Sequence, residues 1–205
     1  MTNAHNMAAA ILTGGRARRM GGADKGALEV GGTRILDRQL AVLRQVASTV
    51  FLVGRAPEGL PPDIRVVPDA MPGCGSLGGI YTAIVESPCD RTLVVGCDMP
   101  FLSVALLERL AAEEADLAIP RTVRGYEPLC AIYGRACAPG IRERIDHGEL
   151  QASILPRGVR IAELGPDVLT AYDPDGLLFE NVNTPHDYAR AKGSRNRITD
   201  SRTDD

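Results

Sequence analysis

The chain of 205 residues has no tryptophan, and aromatic residues make up only 4% of it. Proteins that grip single-stranded nucleic acid stack bases on aromatic side chains along a basic groove, and this sequence is poor in both ingredients. Positive charge is not in excess: 23 Lys and Arg stand against 26 Asp and Glu, a formal net charge of -3. The broad basic field that nucleic acids or anionic membrane surfaces require is therefore missing. No apolar run approaches the ~18 residues of a membrane span, and the start MTNAHNMAAAILTGG lacks the basic flank and long apolar core of a signal peptide. These absences predict a cytoplasmic protein whose partners include neither nucleic acid nor membrane. The five cysteines, Cys74, Cys89, Cys97, Cys130 and Cys137, are odd in number and lack CxxC spacing. Neither a disulfide framework nor a zinc site is expected from them.

What is present is a regular alternation. Short apolar runs (8–12, 49–53, 65–67, 92–97) are separated by amphipathic stretches with helical spacing (35–46, 77–86, 104–115). Continuous apolar strands between helices predict an α/β fold, a doubly wound, mostly parallel, Rossmann-like sheet with helices on both faces. The second half is less regular. DLAIP (116–120), LCAIY (129–133), a helical GIRERI and RIAEL (160–164) read as a small, partly antiparallel extension at the sheet's edge. LLFE (177–180) reads as the last strand, and Thr184 with Pro185 opens a final helix. One domain is expected over 1–192, followed by a polar, aperiodic, disordered tail over 193–205.

In a doubly wound sheet, ligands bind outside the carboxyl ends of the strands, so the segments just after strands carry the chemical reading. LTGGRARRMGGADKG (12–26) follows the first strand. Gly14 and Gly15 let backbone N–H groups approach oxygens closely, while Arg16, Arg18, Arg19 and Lys25 can neutralise a polyphosphate. Lys25 is followed by Gly26, so this is not a Walker A loop; the plainer alternative is a solvated glycine loop. A second segment, GCGSLGGIYTAI (73–84), contains a literal G-x-G-x-x-G at Gly73, Gly75 and Gly78, with Asp98 placed where a dinucleotide fold would keep its ribose-binding acid. PDAMP intervenes between the strand and the first glycine, which a dinucleotide turn does not allow. Packing of the loop and helix N-terminus against a nucleotide's base or sugar is the alternative, and a simple helix-entry turn is the plain one. In the third segment, GCDMPFLS (96–103), Asp98 stands at the end of the most apolar strand. A carboxylate there can hold Mg²⁺ against phosphate oxygens. The competing role is a helix cap, for which Ser103 is better placed. Asn181 and Asn183, in NVN, can bond substrate hydroxyls or belong to turn chemistry.

Together, LTGGRARRMGGADKG, VVPD (66–69), SLGGIYTAI (76–84), CDMPFLS (97–103), EPLCAIY (127–133) and NVNTP (181–185) resemble the molybdenum cofactor guanylyltransferase family in order and spacing to about residue 190. The resemblance implies a glycosyltransferase-A-like nucleotidyltransferase fold and a cytoplasmic, magnesium-dependent enzyme. Such an enzyme moves GMP from GTP onto the phosphate of Mo-molybdopterin, releasing pyrophosphate. It implies nucleotide contacts at Leu12, Thr13, Gly14, Lys25 and Asp69, and a magnesium ligand at Asp98. Gly15, Gly54 and Gly78 join the nucleotide set by position, although Gly54 stands where such enzymes often carry Asn. The family's Leu-Ala-Gly-Gly is Leu12-Thr13-Gly14-Gly15 here, and its Gly-Pro-Leu-x-Gly is Gly75-Ser76-Leu77-Gly78-Gly79.

Arg19, Lys25 and Asp98 are the expected catalytic residues, with Asn181 and Asn183 on the acceptor. Because the acceptor's phosphate oxygen is already ionised, the reaction needs no general base, in keeping with the absence of a Ser-His-Asp or Cys-His set. Molybdenum-cofactor insertion proteins or client apoenzymes are the further partners. The competing readings are a cytidylyltransferase on the same cofactor, a sugar- or isoprenoid-phosphate nucleotidyltransferase, an NAD-dependent oxidoreductase on the G-x-G-x-x-G, and a non-catalytic GTP-binding protein that delivers cofactor.

Overall fold

The computed structural model describes residues 6–13, 29–30, 32–173 and 176–180. In chain order the elements are β1 (Met7–Leu12), β2 (Glu29–Val30), β3 (Thr33–Arg34), α1 (Ile35–Val46), β4 (Thr49–Val53), β5 (Arg65–Val67) and α2 (Gly75–Glu86). There follow β6 (Arg91–Gly96), α3 (Val104–Ala111), β7 (Leu117–Thr122), β8 (Gly125–Tyr126), β9 (Cys130–Gly134), α4 (Cys137–Asp146), β10 (Ile161–Leu164) and α5 (Pro166–Leu169).

Seven strands lie side by side in the order β10-β7-β9-β6-β1-β4-β5, with β8 pairing β7 off this path. The first half, β5-β4-β1-β6, is parallel throughout, as its continuous apolar runs predict. In the second half β9 runs against both β6 and β7, and β8 folds back on β7. This is the small antiparallel part expected from the less regular sequence. β10 lies parallel to β7, so the extension is partly antiparallel, as expected.

The strand pattern explains the two helical layers. Along β1, Met7, Ala9 and Ile11 face one core with Leu36, Leu40 and Leu43 of α1 and Leu106, Leu107 and Leu110 of α3. Ala8, Ala10 and Leu12 face the other core, with Leu77, Ile80 and Ile84 of α2 and Ile141 and Ile145 of α4. Successive strand residues point to opposite faces, so a strand buried on both sides must be apolar at every position, as β1 is.

Local chemistry sets the ends of the helices. Ser103 caps α3, its hydroxyl accepting from the Leu106 N–H at 3.5 Å. α3 stops at Ala111, short of the predicted 115. Arg91 donates to the carbonyls of Ala111 at 2.8 Å and Glu113 at 2.9 Å, meeting the acceptors that a helix end leaves over.

LLFE is not a strand. Leu178 and Phe179 are buried in the core beside α1 and α3, but their segment turns. The Asp173 carboxylate accepts from the N–H groups of Leu177 and Leu178, and the Glu180 N–H bonds the Leu177 carbonyl at 3.0 Å. The apolar composition measured burial rather than a ladder. β2, β3 and α5 were not expected from the sequence. The predicted final helix at Thr184 and the tail over 193–205 lie outside the described residues. All five cysteines lie outside any disulfide. Burial pushes the Cys130 and Cys137 thiols up to about 12, which makes them poor nucleophiles.

Candidate functional site

The strand register places the predicted site residues along one edge. Leu12 pairs with Val53 on one side and Gly96 on the other, and Val53 pairs with Val67. The last residues of β1, β4, β5 and β6 therefore form a row, and Thr13, Gly54, Asp69 and Asp98 follow from it. Three further backbone bonds carry the row onward: Thr13 N–H to Val53 O at 2.9 Å, Gly54 N–H to Val67 O at 2.9 Å, and Cys97 N–H to Leu12 O at 3.3 Å.

Leu12 is buried beneath α2, so its side chain belongs to the core and only its backbone faces the edge. Thr13 is tied down: its hydroxyl lies 3.0 Å from Val53 O and 2.8 Å from Arg55 O, and its single proton is shared between them. Gly54 has φ 116, a conformation that disfavours any side chain. That accounts for a glycine at this position. Since its N–H is already bonded, the carbonyl is what Gly54 can offer a ligand.

Asp69 holds its own loop. Its Oδ1 accepts from the Met71 N–H at 2.9 Å and from the Thr82 hydroxyl at 3.0 Å. Thr82 also lies 2.8 Å from Gly78 O and accepts from the Ala70 N–H at 3.0 Å. This network fastens the loop between β5 and α2 to α2 at Thr82. The two glycines at that turn are places of close approach. A Cβ on Gly78 would stand 2.6 Å from Met71 O, and one on Gly79 would stand 3.0 Å from Leu12 Cδ1. The N-terminal turn of α2 thus rests on the end of β1, and a helix N-terminus is an end suited to an anion.

The G-x-G-x-x-G does not form a dinucleotide turn. It lies between the edge strand β5 and α2, not after the first strand, and Gly73 and Gly75, with φ 92 and 62, shape the entry to α2.

Asp98, half-buried, comes just after β6, and its Oδ1 lies 2.8 Å from where a Cβ on Gly96 would be, with Leu129 Cδ1 at 3.5 Å from the same point. Gly96 therefore makes room for the carboxylate. Among the described residues no group of three or more His, Cys, Asp or Glu could hold a metal ion. A single carboxylate suits a cation such as Mg²⁺, which is commonly held by one or two carboxylates and completed by substrate phosphates and water.

Gly14, Gly15, Arg16, Arg18, Arg19, Lys25, Asn181 and Asn183 lie outside the described residues. The structure brings together Leu12, Thr13, Gly54, Asp69, Gly78 and Asp98. Gly79, Thr82 and Gly96 lie inside the quoted segments, but sequence reasoning gave none of them a role of its own; the small residue two positions before Asp98 was the available signal for Gly96.

The far half of the same edge carries Glu127. Its N–H bonds Pro120 O at 3.0 Å and its Oε1 accepts from the Thr122 hydroxyl at 3.2 Å. Burial raises its pKa, opposed by the Thr122 hydrogen bond and the Arg124 charge. A carboxyl whose pKa is higher folded than unfolded contributes stability below the ordinary carboxylate range and loses it as pH rises through the folded value. Glu127→Gln keeps the acceptor for Thr122 and removes the ionisation. It is expected to melt higher than the wild type at pH 7.5, with the gap closing near pH 4; a lower melting temperature at pH 7.5 contradicts this.

Comparison with known proteins agrees with the geometry. Residues 9–160 match the family model described as MobA-like NTP transferase domain. The chain belongs to the MobA-like NTP transferase family. It is 36% identical over 185 residues to the probable molybdenum cofactor guanylyltransferase of Pelotomaculum thermopropionicum, covering 89% of this chain and 90% of that protein. Among solved structures, molybdopterin-guanine dinucleotide biosynthesis protein A from Archaeoglobus fulgidus matches with TM-score 0.74 and 25% identity over 93% of this chain and 99% of that one. The 2-C-methyl-D-erythritol 4-phosphate cytidylyltransferase of Thermus thermophilus, at 16% identity and TM-score 0.61 over 91% of this chain and 98% of its own, shares the fold. This member of the MobA-like family is a nucleotidyltransferase built on a mostly parallel sheet flanked by helices. Among the described residues no helix is long and apolar enough to cross a membrane.

Proposed function

We propose that this protein transfers GMP from GTP to the phosphate of Mo-molybdopterin in the cytoplasm, forming the guanine dinucleotide cofactor and pyrophosphate. The observation that carries the reading is the row formed by Leu12, Val53, Val67 and Gly96. It gathers at one edge Thr13, Gly54, Asp69 and Asp98, the described members of a family pattern whose relatives are named for this activity.

In this reading the backbone at Leu12, Thr13, Gly14, Gly15 and Gly54, with Asp69 and the turn at Gly78, holds the guanine nucleotide. Asn181 and Asn183 hold the acceptor. Attack by the acceptor's phosphate oxygen at the α-phosphorus forms the new P–O bond and breaks the bond to the β-phosphate's bridging oxygen, so the protein's work is alignment and charge neutralisation. Arg19 and Lys25 neutralise the leaving pyrophosphate, and Asp98 would hold Mg²⁺. When bound, that ion would neutralise phosphate charge and draw electrons from the reacting group. Insertion proteins or client apoenzymes would then receive the product.

The test is pyrophosphate release from each of the four NTPs, with and without Mo-molybdopterin, at fixed Mg²⁺. Release from GTP alone, and only with the acceptor, is the expected result. Release from CTP instead would point to a cytidylyltransferase, an activity the shared fold accommodates, and GTP binding with no pyrophosphate to a delivery protein.

Gly96→Ala probes the edge more finely. The nearest atom to the new Cβ is the end of the Asp98 side chain at 2.8 Å, so the fold yields easily and the carboxylate moves. Turnover is expected to fall about 10–10²-fold, the scale of a misplaced reacting group, with the melting temperature within ~2 °C of the wild type. Unchanged turnover contradicts the role given to Asp98.

A further inference from the structure

α1 carries a polar residue on its apolar stripe. Leu36, Leu40 and Leu43 are buried, and between them Gln39 is 1% exposed. A buried amide needs partners, and these are specific: Nε2 donates to Gly96 O at 2.6 Å and to Met99 O at 3.1 Å. Both N–H bonds of the amide are thereby used, and the two acceptors bracket Asp98 in sequence. Its neighbour Arg38 donates from Nε to Pro100 O at 3.1 Å. α1 therefore grips the 96–100 segment at three carbonyls, on both sides of the carboxylate.

The amide is not explained by stability alone. Its Oε1 is buried and has no hydrogen-bond partner among the described residues, and an orphaned buried acceptor typically costs about 1–3 kcal/mol. An apolar side chain of the same length would avoid that one orphan, at the expense of the two bonds to the Gly96 and Met99 carbonyls. What such a side chain could not do is hold the Gly96 and Met99 carbonyls at fixed positions.

We infer that Gln39 is a positioning residue that sets the direction of the Asp98 carboxylate by clamping the backbone on either side of it. The inference rests on the reading of Asp98 as the residue that takes the nucleotide-bound divalent cation. Gln39 touches neither substrate nor cation; it acts through the loop. Partners that orient a metal ligand typically account for about 10–100-fold in metal affinity.

The test is Mn²⁺ binding to the protein saturated with a non-hydrolysable GTP analogue, read by electron paramagnetic resonance, for the wild type, Gln39→Met, Asp98→Asn and the double variant. Gln39→Met keeps the volume of the side chain and removes both donors. It is expected to weaken Mn²⁺ about tenfold while leaving the analogue's own affinity without metal unchanged, and the double variant is expected to bind no more weakly than Asp98→Asn alone. Weakening by Asp98→Asn with no effect of Gln39→Met overturns the clamp and leaves the Asp98 reading standing. No effect of Asp98→Asn overturns that reading, and the clamp with it. Should Gln39→Met not fold, Arg38→Met, which releases only Pro100 O, is expected to weaken Mn²⁺ in the same direction by a smaller factor, and wild-type affinity there counts against the clamp.

Discussion

Asp98→Asn is expected to lower turnover by on the order of 10²–10³-fold, the usual effect of removing one preorganised electrostatic group from a transfer site, while the protein keeps its fold. The carboxylate stands beyond the last residue of β6, and the neighbouring cap of α3 is supplied by Ser103. Replacing one carboxylate oxygen with an amide nitrogen therefore removes a negative oxygen donor without unpicking a helix end. Pyrophosphate release under saturating GTP, together with circular dichroism and a thermal melt, separates the two effects. Near-normal turnover in a folded variant contradicts the assignment of Asp98.

The second large effect is expected at the turn where α2 meets the β5–α2 loop. Alanine ordinarily stabilises a helix by about 1 kcal/mol relative to glycine. At Gly78 that gain is outweighed, because the new Cβ would stand 2.6 Å from Met71 O, a backbone atom that cannot rotate away. Gly78→Ala is expected to be destabilised by about 1–3 kcal/mol net, the scale of overpacking, or a fall of ~2–12 °C in melting temperature for a chain of this size. GTP binding should weaken too, since Thr82, which bonds Gly78 O, also holds the Asp69 loop. Gly79→Ala is the control: there the Cβ meets the Leu12 side chain at 3.0 Å, which can give by a few tenths of an ångström. Gly78→Ala is expected to melt below both the wild type and Gly79→Ala, and equal values for the two variants contradict the packing account.

The parallel half of the fold was legible because its signals are local. The spacing of ILDRQLAVLRQV and the apolar TVFLV and RVV marked α1, β4 and β5 at their observed limits, and Ser103 read as a cap before it was seen as one. Two features depended on partners distant in sequence. Nothing in RIAEL states whether it will run with or against β7, and LLFE has the composition of a strand while Asp173 takes its N–H groups into a turn.

The site divides in the same way. Asp98 was visible because it ends the most apolar strand, whereas Asp69 entered only through the family resemblance. Gly96 was not singled out, because a glycine at a strand end can have many causes and only the nearby carboxylate gives it one. Gln39 was available to a stricter reading of α1: it falls on the stripe that Leu36, Leu40 and Leu43 define, where a polar residue calls for an explanation. Thr82 gave no signal, since its hydroxyl finds Asp69 and Gly78 O only once the loop has folded back.

The central claim, nucleotidyl transfer to a phosphate acceptor, is tested most directly by following the label from GTP carrying ³²P at the α position and, separately, at the γ position in the presence of Mo-molybdopterin. The account predicts α label in the enlarged cofactor, one for each pyrophosphate released, and γ label only in pyrophosphate. Gamma label on the acceptor, or pyrophosphate released with no α label transferred, contradicts it.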